Sequence, residues 1–142
     1  LLAAFEIVRR RKQEENTRLK IAKSRNAAEH IAPHIQDNKQ EVFYGLYLNQ
    51  NNEVKWEQPL FKGGVAATVV DPKIVFMPAV RHLATGVIVA HNHPSGNLRP
   101  SEADIQLTKK LSDGAKLFDI RLLDHLIISS KGFYSFSDEG LL

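Results

Sequence analysis

Gly86-Val87-Ile88-Val89-Ala90-His91-Asn92-His93-Pro94-Ser95-Gly96-Asn97-Leu98-Arg99-Pro100-Ser101-Glu102-Ala103-Asp104 is the stretch from which the architecture can be read. Its first part is an unbroken apolar run behind a glycine. The run is too short for a helix of ordinary length and shows no alternation. A strand covered on both faces has this pattern, as in a sheet with helices on either side. The run delivers His91 and His93 at its C-terminal end. The polar loop from Pro94 to Pro100 follows, and Ser101 then opens a helix. Leu107, Leu111, Ala115 and Phe118 recur along that helix at helical spacing and define its buried face, while Gly114 blurs where it ends. Buried strand, loop and amphipathic helix imply an α/β class, a mixed sheet flanked by helices.

Outward from there, Arg121 to Ser129 and Gly132 to Phe136 read as two strands of a hairpin. On the N-terminal side, Asp71-Pro72 starts a helix with proline at its first position. That helix is expected to reach Ala84, with a disturbance at Pro78 and Gly86 closing it. Glu41 to Leu48 is rich in β-formers, Asn49 to Asn52 is a turn cluster, and Glu53 to Leu60 is a second extended run, together a hairpin. Ser24 is positioned to cap a helix through Ala27, Ala28 and Ile31 that ends near Pro33. Residues 1–15 form a further helix, with Leu1, Ala4, Phe5 and Val8 on one face and no core partner within the segment.

The chain has 142 residues, of which 43% are hydrophobic, enough for one core and too few for two comfortable domains. Cysteine is absent, which excludes disulfides, thiolate metal sites and a cysteine nucleophile, and leaves histidine and carboxylate as ligands. No apolar run is long enough to span a membrane. The opening Leu1-Leu2-Ala3-Ala4 meets Glu6 and Arg9 too soon for a signal peptide. The expectation is a soluble protein with no membrane partner, consistent with a cytoplasmic location. The formal charge is +3, concentrated in Arg9 to Lys12 with Arg18, Lys20, Lys23 and Arg25 behind them. Such a strip can attract nucleic acid, but Glu14 and Glu15 dilute it and a solvated helix face is the plainer explanation.

The chemistry concentrates in His91, His93 and Asp104. Two histidines one residue apart on extended chain project to the same side, close enough to share one ion. Asp104 arrives about one turn after Ser101, at a helix N-terminus that the loop can swing toward them. Two nitrogens and one carboxylate oxygen leave a fourth position open, which is the pattern of a catalytic zinc. Each part also has a bland explanation. His-x-His can be polar decoration at a strand end, and Ser101 with Asp104 resembles a capping arrangement, which can coexist with ligation.

His-x-His-Pro followed after seven residues by Ser-x-x-Asp resembles the JAMM signature of the MPN/JAB metallohydrolases, and His91-Asn92-His93-Pro94-Ser95-Gly96 resembles the RadC branch of bacterial proteins. The likeness extends from about Ser24 to the C-terminus, including Asp124-His125-Leu126-Ile127-Ile128 and Glu139-Gly140-Leu141-Leu142. It implies a JAMM/MPN domain of cytidine-deaminase-like fold over residues 24–142. Residues 1–23 resemble the end of the helix-hairpin-helix region that precedes it, or a linker. It further implies zinc held by His91, His93 and Asp104, Glu41 as general base and Ser101 as donor to the oxyanion, in hydrolysis of a peptide or isopeptide bond of a protein substrate. Glu53 and Glu57 are fallback bases. Asn92 stands where deubiquitinating relatives usually carry serine or threonine, so ubiquitin-like substrates are not implied. Asp124-His125 is placed to support the ligands. Competing expectations are a DNA-repair-associated protein acting on or binding DNA, and a non-catalytic interaction module. His30 and His34 have the spacing of a helical metal pair, but Pro33 is expected to interrupt that helix. His82 reads as a surface or core-edge residue.

Overall fold

The computed structural model describes residues 1–16, 18–64 and 70–142, with backbone alone at 12–16. Five strands form one sheet in the order β2-β1-β3-β4-β5. These are β1 (Val42–Leu48), β2 (Val54–Lys62), β3 (Gly86–Asn92), β4 (Arg121–Ser129) and β5 (Gly132–Ser135). Only β3 and β4 run parallel; the other neighbours are antiparallel. Among the described residues four helices accompany them: α1 (Leu2–Asn16), α2 (Ser24–Ile35), α3 (Pro72–Arg81) and α4 (Glu102–Lys116). The mixed α/β sheet flanked by helices is the expected class and is consistent with the JAB/MPN fold. Among the described residues no helix is long and apolar enough to cross a membrane.

The central strands β1 and β3 are buried along their whole length, so each face of the sheet carries its own core. On one face Phe43, Tyr47, Val87 and Val89 pack with Phe76, Leu107 and Leu111 from α3 and α4. On the other, Tyr44, Leu46, Ile88 and Ala90 pack with Ala28, Ile31 and Ile35 from α2. The period of two along a strand sends Phe43 to one core and its neighbour Tyr44 to the other. The apolar side chains of α1 find no such cover: Leu2, Phe5 and Val8 are exposed.

Four boundary details depart from expectation. Ser24 is not a cap. Lys23 holds the cap position of α2, Asn26 Oδ1 accepts from the backbone N–H groups of Ala22 and Lys23, and the Ser24 hydroxyl donates to Asp138. Pro33 does not stop α2, which continues to Ile35 with Gln36 N–H bonded to Ala32 O at 2.9 Å. Proline forfeits its own bond to the preceding turn and crowds the carbonyl one turn back, but this late in a helix little remains to be disturbed.

Helix α3 passes through Pro78 and ends at Arg81, short of Ala84, because Leu83 takes a left-handed conformation (φ 52°) and Ala84 N–H bonds back to Ala79 O at 2.8 Å. That is the closure of a Schellman end without its usual glycine. Helix α4 ends in the same way. Asp119 is left-handed (φ 53°) and Ile120 N–H reaches Ala115 O. Phe118 therefore lies beyond the helix and is half exposed, and Ile120 takes the core position. Gly114 does not break α4; a Cβ there would stand 3.2 Å from the Phe76 ring.

Candidate metal centre

Strand β3 ends where α4 begins to approach it, at the carboxyl edge of the parallel pair, where ligands bind in open α/β sheets. His91 is the penultimate residue of β3 and fully buried. His93 follows the strand and stays partly open to solvent. Asp104 sits in the first turn of α4 and is buried. His91 Nε2 and His93 Nε2 are 2.9 Å apart, Asp104 Oδ1 is 3.2 Å from His91 Nε2, and Asp104 Oδ2 is 3.6 Å from His93 Nε2. A tetrahedral ion with bonds of about 2.0–2.1 Å has ligand–ligand edges of about 3.3 Å. The three donors therefore stand where such an ion would need them, and the residues fit the group.

Each donor is oriented from behind. Asp104 Oδ2 accepts from the Ser101 hydroxyl at 2.6 Å and from the Ser101 N–H at 2.7 Å, while the Ser101 oxygen accepts from Asp104 N–H. This is a reciprocal capping box. It leaves Oδ1 turned toward His91. Burial opposes ionisation of Asp104, but the imidazoles of His91 and His93 beside it and the hydrogen bond from Ser101 outweigh it and hold the carboxyl well below its ordinary range. His93 Nδ1 lies 2.5 Å from the Asn97 carbonyl. A carbonyl only accepts, so Nδ1 carries the proton and Nε2 faces the site. The neighbouring Asp104 carboxylate raises the pKa of His93 against an opposing desolvation, and the Asn97 carbonyl and the charge of Glu41 add to the rise.

His91 is fixed by a longer chain. Thr108 Oγ1 donates to the Asp104 carbonyl at 2.7 Å and so accepts at 2.6 Å from His125 Nδ1. His125 Nε2 is then an acceptor, 2.9 Å from His91 Nδ1. Taken in order, these bonds place the His91 proton on Nδ1 and leave the Nε2 lone pair directed at the ligand cluster. His125 is fully buried, and burial with the neighbouring His91 lowers its pKa well below normal, so it stays neutral. Phe43 and Phe136 flank these rings.

In front of the donors lies an open cleft of about 300 Å³ walled by Glu41, His93, Ser95, Asn97, Arg99, Ser101 and Asp104, among others. Glu41 immediately precedes β1, opposite the end of β3. Asn92 secures that approach. Its Oδ1 accepts from Val42 N–H at 2.6 Å and its amide donates to the Asn38 and Gln40 carbonyls, each at 3.1 Å.

A family model described as a RadC-like JAB domain matches residues 21–141. The chain belongs to the RadC-like JAB domain family. It is 44% identical over 142 residues to a UPF0758 protein of Flavobacterium johnsoniae, covering 99% of this chain and 62% of that protein. It is 46% identical over 144 residues to a UPF0758 protein of Porphyromonas gingivalis, covering 100% of this chain and 63% of that one. The chain thus spans a little over three fifths of the length of these curated relatives.

Within this RadC-like domain the residues singled out from sequence, His91, His93, Asp104, Ser101 and Glu41, share one cleft or its floor. The fallback bases do not. Glu53 is bonded to Asn49 in the β1–β2 turn, and Glu57 pairs with His30 on the α2 face of the sheet. Asp124 does not touch the ligands: its carboxylate accepts from Ser135 Oγ, Ser137 N–H and His125 N–H. Sequence reading missed Thr108, the Asn97 carbonyl and Arg99. Of these only Thr108 left a trace, one helical turn after Asp104.

Proposed function

We propose that this chain is a zinc-dependent hydrolase that cleaves a peptide or isopeptide bond, with His91, His93 and Asp104 as ligands, Glu41 as general base and Ser101 as oxyanion donor. The observation that carries the reading is the convergence of three donor atoms within 4.8 Å of one another beside a carboxylate on the wall of the same cleft. Two imidazoles and one carboxylate suit zinc, and three ligands leave a position open. When bound, zinc supplies a Lewis acid that polarises a carbonyl and brings the pKa of water from about 16 toward 7.

The remaining work falls to side chains. The Glu41 carboxylate takes a proton from the attacking water and returns it to the leaving nitrogen, a role generally worth about 10²–10⁴ in rate. Ser101 reaches an oxyanion by rotating its hydroxyl away from Asp104 Oδ2, which keeps the Ser101 N–H as partner. The ordering of Asp104 therefore survives that rotation. His91 and His93 keep their Nε2 atoms directed forward through the bonds of their Nδ1 atoms to His125 and Asn97.

The test is metal content by plasma mass spectrometry on protein purified without chelator, followed by assays on a fluorogenic peptide library. About one tightly held zinc per chain, lost in His93→Ala, is expected. Glu41→Gln should keep the metal and lose at least about 100-fold in turnover. A wild-type chain that neither carries zinc nor takes it up at this site would refute the reading, and an active Glu41→Gln would remove Glu41 as the base.

A further inference from the structure

Because α2 runs on through Pro33, His30 and His34 stand one helical turn apart on the same face. Both point at Glu57, which projects from the edge strand β2 toward α2. His30 Nε2 is 2.5 Å from Glu57 Oε2 and His34 Nε2 is 3.6 Å from Glu57 Oε1. All three donors lie within 4.8 Å of one another. Tyr44 sets two of them. Its hydroxyl donates to Glu57 Oε1 at 3.1 Å, and its ring stacks on His34 with centroids 5.4 Å apart and planes 13° from parallel. Plain histidine–glutamate hydrogen bonding accounts for the His30 contact. It leaves open why a second, half-exposed imidazole is held over the same carboxylate.

We infer that His30, His34 and Glu57 form a second cation site, for a divalent transition ion such as zinc or cobalt, that fastens α2 to the sheet edge. Imidazole nitrogens with one carboxylate select this class over magnesium or calcium, which prefer all-oxygen sites. The partly exposed ligands give the ion an entry path and leave positions for water. Neighbouring residues of β1 separate the two centres. Phe43 stacks on His91 on one face, and Tyr44 backs His34 on the other. No ligand is shared. With three partly solvated donors, the second site should be the weaker and fill only on added metal.

The experiment is titration of the chelator-stripped full chain with Co²⁺, followed by visible absorption and calorimetry, for wild type, His34→Ala, Glu57→Gln and His93→Ala. One binding event that disappears in His34→Ala and weakens at least about tenfold in Glu57→Gln, yet persists in His93→Ala, is expected. Loss in His93→Ala alone, with His34→Ala unchanged, would overturn the proposal. If the β3–α4 centre proved metal-free, the His34-dependent event would still be seen, so the two readings fail separately. Should a variant not fold, imidazole ¹⁵N spectra of the wild type decide: added zinc must move the Nε2 resonances of both His30 and His34, and no movement at either refutes the site.

Discussion

Thr108 Oγ1 lies 2.6 Å from His125 Nδ1, and through that single contact a helix one turn beyond Asp104 decides which nitrogen of His91 holds a proton. Thr108→Val keeps the shape and removes the acceptor, leaving a buried N–H unsatisfied at a cost of about 1–3 kcal/mol. His125 then has reason to change tautomer and turn Nε2–H toward His91. Zinc affinity should fall about 10–100-fold, as when other groups that support a metal ligand are lost, while Thr108→Ser restores it. Competition with a chromophoric chelator reads the effect; equal affinity in Val and Ser variants would contradict it.

Asn92→Ala removes the partner of Val42 N–H and of the Asn38 and Gln40 carbonyls. Urea unfolding should show a loss of about 1–3 kcal/mol. Under the hydrolase reading, turnover should drop more than zinc affinity, because these bonds hold the approach to Glu41 and none of the ligands. Equal losses in both would show that the clamp acts on the ligands instead.

Gly45 lies under the Tyr47 ring: a Cβ there would stand 2.7 Å from the Tyr47 hydroxyl, which donates to Val75 O at 2.8 Å. Tyr47 is fully buried and has nowhere to retreat. Gly45→Ala should cost about 1–3 kcal/mol through overpacking and leave zinc stoichiometry unchanged. A variant with wild-type Tm would show that the ring can shift.

Burial raises the pKa of Asp124 although Ser135, Ser137 and His125 donate to its carboxylate. A carboxyl whose pKa is higher folded than unfolded binds more protons in the native state, so stability falls as pH rises through the folded value. It recovers as pH drops toward the unfolded value of about 3.9. The stability of wild type relative to Asp124→Asn should therefore improve from pH 7 toward pH 4 in urea melts. A difference that is flat, or that moves the other way, would contradict the sign.

The sheet and the three donors were legible because their signals are local. The apolar run before His91 and the spacing to Asp104 lie within 19 consecutive positions, Gly86 to Asp104. Helix ends were harder to place. Leu83 and Asp119 turn the chain in left-handed conformations without glycine, so helical spacing alone carries Ala84 and Phe118 into helices they do not join. The residue type of Ser24 favours a cap, whereas Asn26 supplies the bonds from inside the helix. In sequence, a proline between His30 and His34 suggests a break and hides their shared face. Their meeting with Glu57 depends on strand pairing 27 residues away in sequence, which no local pattern reveals.

The Asn92 clamp has a consequence for how the centre comes apart. His91, His93 and Asp104 close a short loop and require only the β3–α4 junction to be formed, whereas Glu41 arrives from 50 residues upstream of His91 and depends on β1 being seated. Under the hydrolase reading, holding an ion is thus a short-range property of the chain, and using it is a long-range one. On the same reading, any partial opening that lifts the β1–β2 edge and spares β3 and α4 would yield a loaded but silent molecule, able to regain turnover by re-docking a strand without having to find a metal again.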